Sequence, residues 1–278
     1  LLLYHGLGSG KTCSSIAMAE GMKSSKQIIV MTPASLRMNY FEELKKCGDL
    51  LYRKNQFWEF IDTKVNPELT EVLSKVLSLS VETIKNKGGA WLVNVKKPSN
   101  FEDLDAVEKK SLDEQLNEMI RYKYKFINYN GMRQTHLREL TLDNTINPFD
   151  NKVIIIDEAH NFVSRIVNKM GKGEGKLAIK LYELLLKAEN AKIILLTGTP
   201  IINYPNEIAV VFNILRGLIK TWSIKLTINK ERKVSQKFFE KLFPSRVKGG
   251  NIMDYIEYKP TSTTLVITRN PFGFVNNV

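Results

Sequence analysis

The residues best suited to chemistry begin at position 5: His5-Gly6-Leu7-Gly8-Ser9-Gly10-Lys11-Thr12. Glycines at 6, 8 and 10 let a backbone wrap a phosphate so that several N–H groups point inward. A helix that follows presents its positive end to the same anion. Lys11 would reach the β- and γ-phosphates of a nucleotide, and the Thr12 hydroxyl would ligate Mg2+. Candidate nucleotide contacts are therefore His5, Gly6, Leu7, Gly8, Ser9, Gly10, Lys11 and Thr12. The strict G-x-x-x-x-G-K-[ST] spacing wants glycine where His5 stands, so the motif is approached and not met. The competing reading is a glycine-rich turn with an incidental Gly-Lys-Thr. An apolar strand expected before it and a helix expected after it favour the phosphate loop.

A second chemical group is Asp157-Glu158, preceded by the apolar run Val153-Ile154-Ile155-Ile156. Both carboxylates would sit at the C-terminal end of a central strand, the edge at which open α/β sheets bind ligands. Asp157 can hold a Mg2+ shell, and Glu158 can orient and deprotonate an attacking water. A shared cation would favour the charged forms of both. Alone, a strand followed by acids is common, and His160 could be an ordinary helix-start residue. A third group, Thr197-Gly198-Thr199-Pro200, also ends an apolar strand. Its hydroxyls could bridge the carboxylates to a nucleic-acid-facing loop. In isolation it reads as a strand-to-helix turn with proline at its exit.

These groups need a scaffold. Buried strands are expected over residues 1–4, Gln27–Thr32, Tyr124–Asn128, Lys152–Ile156 and 192–197, with a last strand over 263–269. Helices are expected over 11–24, from Pro33 to Gly48, over 111–121 from the capping signature Ser111-Leu112-Asp113-Glu114, and over 205–215. Residues 50–122 read as a less regular insertion, though Trp58 and Trp91 imply packing. The stretch 171–176 is glycine-rich without a preceding strand, hence a loop and not a second phosphate site. Alternating strands and helices imply parallel βαβ units with helices on both sheet faces: a three-layer α/β/α lobe with a mostly parallel sheet over 1–215.

The 278 residues leave room for one large or two small domains. The strand under way at residue 1 reads as that of a fragment, so upstream targeting is open. Two cysteines, Cys13 and Cys47, form no C-x-x-C pair. They read as intracellular thiols with no disulfide or zinc framework, Cys13 as a small core residue. Histidines 5, 136 and 160 lack metal-ligand spacing. No apolar run approaches the ~18 residues needed to span a bilayer, so no membrane partner is expected.

The order Gly8-Ser9-Gly10-Lys11-Thr12, Thr32-Pro33-Ala34-Ser35-Leu36, Asp157-Glu158-Ala159-His160, Thr197-Gly198-Thr199-Pro200 resembles motifs I, Ia, II and III of superfamily 2 helicases. The continuation Ile201-Ile202-Asn203, with Glu207 four residues on, looks like the Swi/Snf-type branch, which translocates on duplex DNA. Phe126-Ile127-Asn128-Tyr129 sits where that branch has a strand ending in a polar-Tyr pair. The loops are similar to those of helicase-like ATPases of large nucleocytoplasmic DNA viruses, including relatives of poxvirus transcription-linked nucleoside triphosphatases. The resemblance covers residues 1 to about 215. It implies a RecA-like P-loop NTPase lobe, ATP and Mg2+ as cofactors, and movement on nucleic acid, duplex DNA before RNA. Lys11, Asp157 and Glu158 would be catalytic, with Thr12 and Asp157 on the metal. His160, Thr197 and Thr199 would couple nucleotide state to nucleic acid, and Thr32, Pro33 and Ser35 would lie near its backbone. The resemblance also implies a second RecA-like lobe carrying arginine fingers, for which 216–278 is too short, and transcription machinery as a partner. A viral origin would place the protein in the virion or the host-cell replication compartment. Rival readings are another P-loop ATPase such as a DNA-packaging motor, or a degenerate lobe serving as a binding platform.

The formal net charge is +12, and residues 216–250 hold ten Lys/Arg against two acids. Such a balance favours polyanion partners. Trp222, Phe238, Phe239 and Phe243 interleave with these charges. One reading is a basic extension that tracks nucleic acid through Lys233, Lys237 and Lys241. The other is an amphipathic helix with aromatics inward and lysines in solvent.

Overall fold

The computed structural model describes residues 3, 5–6, 8–22, 26–169, 176–227, 234–242 and 253–269. The strand expected over 1–4 lies outside these except for Leu3, as do Leu7, Lys233 and Phe243. The loop expected over 171–176 lies outside them too, except for Lys176, which starts a helix.

In chain order the first elements are α1 (Lys11–Glu20), β1 (Gln27–Thr32), a 3-10 turn (Ala34–Leu36) and α2 (Arg37–Cys47). Next come β2 (Trp58–Asp62), α3 (Leu69–Leu77), α4 (Val81–Lys87), β3 (Gly89–Val93) and α5 (Ala106–Lys123). Then follow β4 (Tyr124–Asn128), α6 (Gln134–Leu140), β5 (Lys152–Ile156), α7 (Ala159–Lys169), α8 (Lys176–Lys187), β6 (Lys192–Leu195) and α9 (Asn206–Arg216). The last are β7 (Lys220–Lys225), α10 (Gln236–Leu242), β8 (Met253–Lys259) and β9 (Thr264–Arg269).

Strands β4-β1-β5-β6 form one parallel sheet. Their β-branched runs suit strands buried on both faces. The side-chain period of two divides them between two cores. Ile28, Val30, Val153 and Ile155 pack with residues of α1, α2 and α5 on one side. Ile29, Met31, Ile154 and Ile156 pack with residues of α7, α8 and α9 on the other. Ile154 and Ile155 are both 0 % exposed, and full burial of such a side chain stabilises by roughly 1.5–3 kcal/mol. A charge at either position would break a layer. The three layers match the α/β/α architecture expected, and the shared register brings the C-terminal ends of β1, β4, β5 and β6 to one edge.

The insertion proves more regular than its sequence suggests. β2 and β3 pair antiparallel, with Trp58 and Trp91 buried. Gln115 of α5 meets both backbone groups of Trp91, accepting from its amide and donating to its carbonyl, each at 2.8 Å. α5 starts before Ser111. Asp105 caps it by accepting from the Val107 and Glu108 amides, while the Glu108 carboxylate accepts from the Asp105 amide at 3.0 Å. Ser111 lies inside the helix, 3.3 Å from the Trp91 indole nitrogen, so the capping box sits six residues upstream of the one expected.

The cysteine expectation is corrected. α1 and α2 lie side by side, and Cys13 and Cys47, 34 residues apart, form a disulfide with Cα atoms 5.7 Å apart. Helix packing creates this pair, and no local spacing could announce it.

Residues 220–225, inside the basic stretch, form a strand and not a helix. β7-β9-β8 make a separate antiparallel sheet. Phe239 of α10 packs with Leu265 and Ile267, whereas Lys237 and Lys241 are exposed. Phe238 and Trp222 are also exposed.

Candidate nucleotide-hydrolysis site

The site is assembled where the parallel strands end. Gly8 and Gly10 have φ of 76° and 87°, a region that L side chains rarely enter. Ser9 Oγ donates to the Gly6 carbonyl at 2.7 Å. His5, standing where the strict motif wants glycine, braces the turn: its Nδ1 lies 3.3 Å from the Ser9 carbonyl and its Nε2 3.4 Å from Ser14 Oγ. A single tautomer, protonated on Nδ1, satisfies both contacts. α1 starts directly after Gly10 with no side-chain cap and no acid in its first turn. Its first N–H groups and positive end are thus available to an anion.

Lys11 and Thr12 open a cleft of about 180 Å³, which is also lined by Asp157, Glu158, Thr197 and Gly198. A Cβ built on Gly198 would stand 4.0 Å from Lys11 Nζ, so the lysine reaches across to the loop after β6. The donor set offered to a metal, the Thr12 hydroxyl and the Asp157 carboxylate, is hard oxygen and suits Mg2+. The glycine turn, bare helix start and lysine suit a polyphosphate.

Asp157 and Glu158 follow β5 directly. The Glu158 amide donates to Asp157 Oδ1 at 3.0 Å. Burial raises the Asp157 carboxyl above its ordinary range, and the neighbouring Glu158 charge adds to this. The Glu158 amide, His160 and Lys11 pull the other way and do not cancel it. A bound dication would reverse that balance. Glu158 adopts φ 47°, a conformation that costs a non-glycine residue about 1–3 kcal/mol. It turns the chain so that α7 starts at Ala159, whose amide donates to the Leu196 carbonyl at 2.8 Å.

His160 Nδ1 lies 2.9 Å from Thr197 Oγ1 and 3.3 Å from Glu158 Oε2. The Thr199 amide donates to Thr197 Oγ1 at 3.0 Å. The histidine therefore joins the second and third motifs, and Thr199 enters through its backbone. Beyond the loop, buried Glu207 accepts from the Ile202 and Asn203 amides at 2.7 and 3.2 Å. Burial alone would raise the Glu207 carboxyl, but these bonds, with Ser164 and the Asn203 side chain, hold it below its ordinary range. Asn203 Nδ2 donates to Ser164 Oγ of α7 at 2.6 Å. The exit of the Thr-Gly-Thr-Pro loop is thus tied to α7 and α9.

Other anticipated residues lie apart from the cleft. Thr32 is 1 % exposed and donates to the Pro33 carbonyl at 3.3 Å. Pro33 is buried and Ser35 exposed, so of the three only Ser35 offers its side chain to a nucleic acid. Sequence reasoning missed Asn39, Tyr40 and Glu43, which line the cleft from α2. The Tyr40 ring is buried, and its hydroxyl lies 3.2 Å from Ser15 Oγ of α1. The available signal was the i,i+4 pair Asn39 and Glu43 on one helix face.

A family model described as the type III restriction enzyme, res subunit, matches residues 1–202. A protein of Acanthamoeba polyphaga mimivirus, provisionally named ATP-dependent RNA helicase R563, is 30 % identical over 217 residues, covering 77 % of this chain and 29 % of its own length. A termination factor NPH-I homolog of African swine fever virus (isolate Pig/Kenya/KEN-50/1950) is 26 % identical over 219 residues, 79 % of this chain and 22 % of its own length. The chain thus spans under a third of the length of these relatives. Among the described residues, no helix is long and apolar enough to cross a membrane.

Proposed function

This chain belongs to the family of the type III restriction enzyme res subunit, and from that premise we propose that it is the ATP-binding lobe of a nucleic-acid-dependent ATPase. It hydrolyses Mg-ATP to drive movement on nucleic acid. The observation that carries this reading is the convergence of Lys11, Thr12, Asp157, Glu158 and Thr197 on one cleft.

Each residue then has a task. Gly8, Gly10 and the start of α1 cradle the phosphates, and Lys11 neutralises charge on the transferring group. Thr12 and Asp157 hold Mg2+, which when bound offsets charge on the β- and γ-phosphates. Glu158 orients a water and accepts its proton. His160 relays the state of Glu158 to Thr197, and through Thr199 to the loop that Glu207 anchors. Duplex DNA is the favoured track, supported only by the resemblance of the sequence over residues 198–203, with Glu207, to the Swi/Snf-type branch. A role in viral transcription is the reading carried from the sequence resemblance; the African swine fever virus relatives are named termination factor homologs. A second lobe supplying an arginine would raise the rate on the order of 10³–10⁵-fold.

The test is ATP hydrolysis with and without duplex DNA, single-stranded DNA and RNA, with Glu158→Gln as control. Stimulation by one of these, abolished by the substitution, supports the motor and names its track. Hydrolysis indifferent to all three points to another P-loop ATPase. Tight ATP binding without hydrolysis, even with the remainder of the parent protein present, points to a binding platform.

A further inference from the structure

We propose that Tyr129 is a positioning residue for the hydrolytic carboxylates, holding the Asp157–Glu158 turn and linking it to the loop after β4. This rests on the reading of Glu158 as the water-activating base. The Tyr129 hydroxyl lies 3.0 Å from the Asp157 carbonyl and 3.1 Å from the Glu158 carbonyl, across 28 and 29 residues of sequence. A phenol carries one proton, so the two carbonyls share it in a three-centre bond. The Glu158 carbonyl also accepts from the Asn161 amide at 2.9 Å. Tyr129 therefore grips both peptide groups at the point where the chain takes its left-handed turn.

The anchor is itself fixed. The Tyr129 ring is 4 % exposed and meets the Phe162 ring edge-on, with centroids 5.4 Å apart. The adjoining loop is tight. Asn128 Oδ1 accepts from the Asn130 and Gly131 amides at 3.1 and 3.2 Å, and a Cβ on Gly131 would fall 2.7 Å from Asn128 Nδ2. Arg165 of α7 donates to the Asn130 carbonyl at 2.9 Å. Asn130 and Gly131 are exposed at the same sheet edge as the cleft. A displacement of this loop would reach Glu158 through one side chain, without passing through the nucleotide.

Tyr129→Phe removes the hydroxyl and keeps the ring packing. Wild type, Tyr129→Phe and Glu158→Gln are compared in the parent protein, with nucleic acid present, for kcat and KM with Mg-ATP, Kd for a fluorescent ATP analogue, thermal midpoint, and hydrogen exchange over 157–161. A base displaced by a fraction of an ångström predicts a kcat lower by about 10- to 100-fold. KM, analogue affinity and thermal midpoint should stay close to wild type, and exchange over 157–161 should quicken. A kcat within twofold of wild type with unchanged exchange overturns the proposal. So does a parallel fall of analogue affinity and thermal midpoint, which marks a merely structural role. Wild-type hydrolysis no greater than that of Glu158→Gln would count against the hydrolytic reading. Exchange over 157–161 then decides the anchor alone: faster in Tyr129→Phe sustains it, unchanged overturns it.

Discussion

α2 separates two polar clusters of opposite character. One of its faces gives Asn39 and Glu43 to the cleft. Elsewhere on it Lys45, with a side chain 0 % exposed, is bonded to Glu42 at 2.9 Å and to Asp113 of α5 at 2.6 Å, and Lys54 joins the same two carboxylates. Burial would raise the Glu42 and Asp113 carboxyls, but the two lysines outweigh it and hold both below their ordinary range. At the sheet edge burial and a like charge win instead, and Asp157 is raised. The two carboxyl shifts thus run in opposite directions: down where lysines close a network, up where burial and a like charge meet at the cleft.

The comparison is broken most sharply by Glu158→Gln. Loss of the base should lower kcat by about 10²–10⁴-fold while leaving the thermal midpoint unchanged or raised, because a like charge beside Asp157 is removed. A destabilised variant would place Glu158 with the structural network. The reciprocal change is Lys45→Met. Removing one member of a buried pair costs about 3–5 kcal/mol. The lower end applies here, because Glu42 and Asp113 are 45 % and 35 % exposed and regain solvent. Chemical denaturation should show that loss, with the Kd for an ATP analogue unchanged.

Cys47→Ser tests the covalent link beside the same helix. A closed loop of 34 residues predicts a stability loss of up to about 4 kcal/mol. Dithiothreitol should bring wild type down to the variant and leave the variant where it is. Equal stability of wild type with and without dithiothreitol would mean that the thiols do not pair in solution. Smaller again is the pH response of the Lys45 network. Because the Glu42 and Asp113 carboxyls are lowered on folding, their contribution is present above their unfolded values of about 4 and is lost as pH falls through the lower folded values. Lys54 is raised by the same partners against the pull of burial. Its contribution is full below its unfolded value of about 10.4 and is lost as pH rises through the folded one. The acid arm of the wild-type stability curve should therefore be steeper than that of Lys45→Met, and parallel curves would sink the assignment.

What the sequence disclosed follows the range of the interactions concerned. Strands β1, β4 and β5 were legible to the residue, since a short apolar run between turn signals is a local property. That Lys11, Asp157 and Glu158 gather at one cleft was legible because each group ends or follows such a run. The disulfide, the Gln115 clasp on Trp91 and the Tyr129 bond were not. Each joins residues at least 24 positions apart and exists only once helices and strands have packed. The misplaced capping box had another cause: Ser111-Leu112-Asp113-Glu114 and Asp105-Ala106-Val107-Glu108 both satisfy the pattern, and tertiary packing selects the earlier start.

The basic segment is the counterpart of the parallel lobe, and the least decided by its residues alone. In α10 Phe239 is buried, as the amphipathic reading requires, but Lys237, Lys241, Phe238 and, on β7, Trp222 remain exposed. Cations beside accessible rings are what a sequence-tolerant nucleic-acid surface needs. They are also what any solvated helix with spare aromatics displays. Counterion release distinguishes the two. If both lysines contact phosphates, Lys237→Gln with Lys241→Gln should reduce the slope of log K against log salt for duplex DNA by up to about 2, and weaken binding alike for unrelated sequences. Thermal stability should hold, because both side chains point into solvent. An unchanged slope would leave α10 as the packing helix of its small sheet and move the positive track to other exposed cations of the chain.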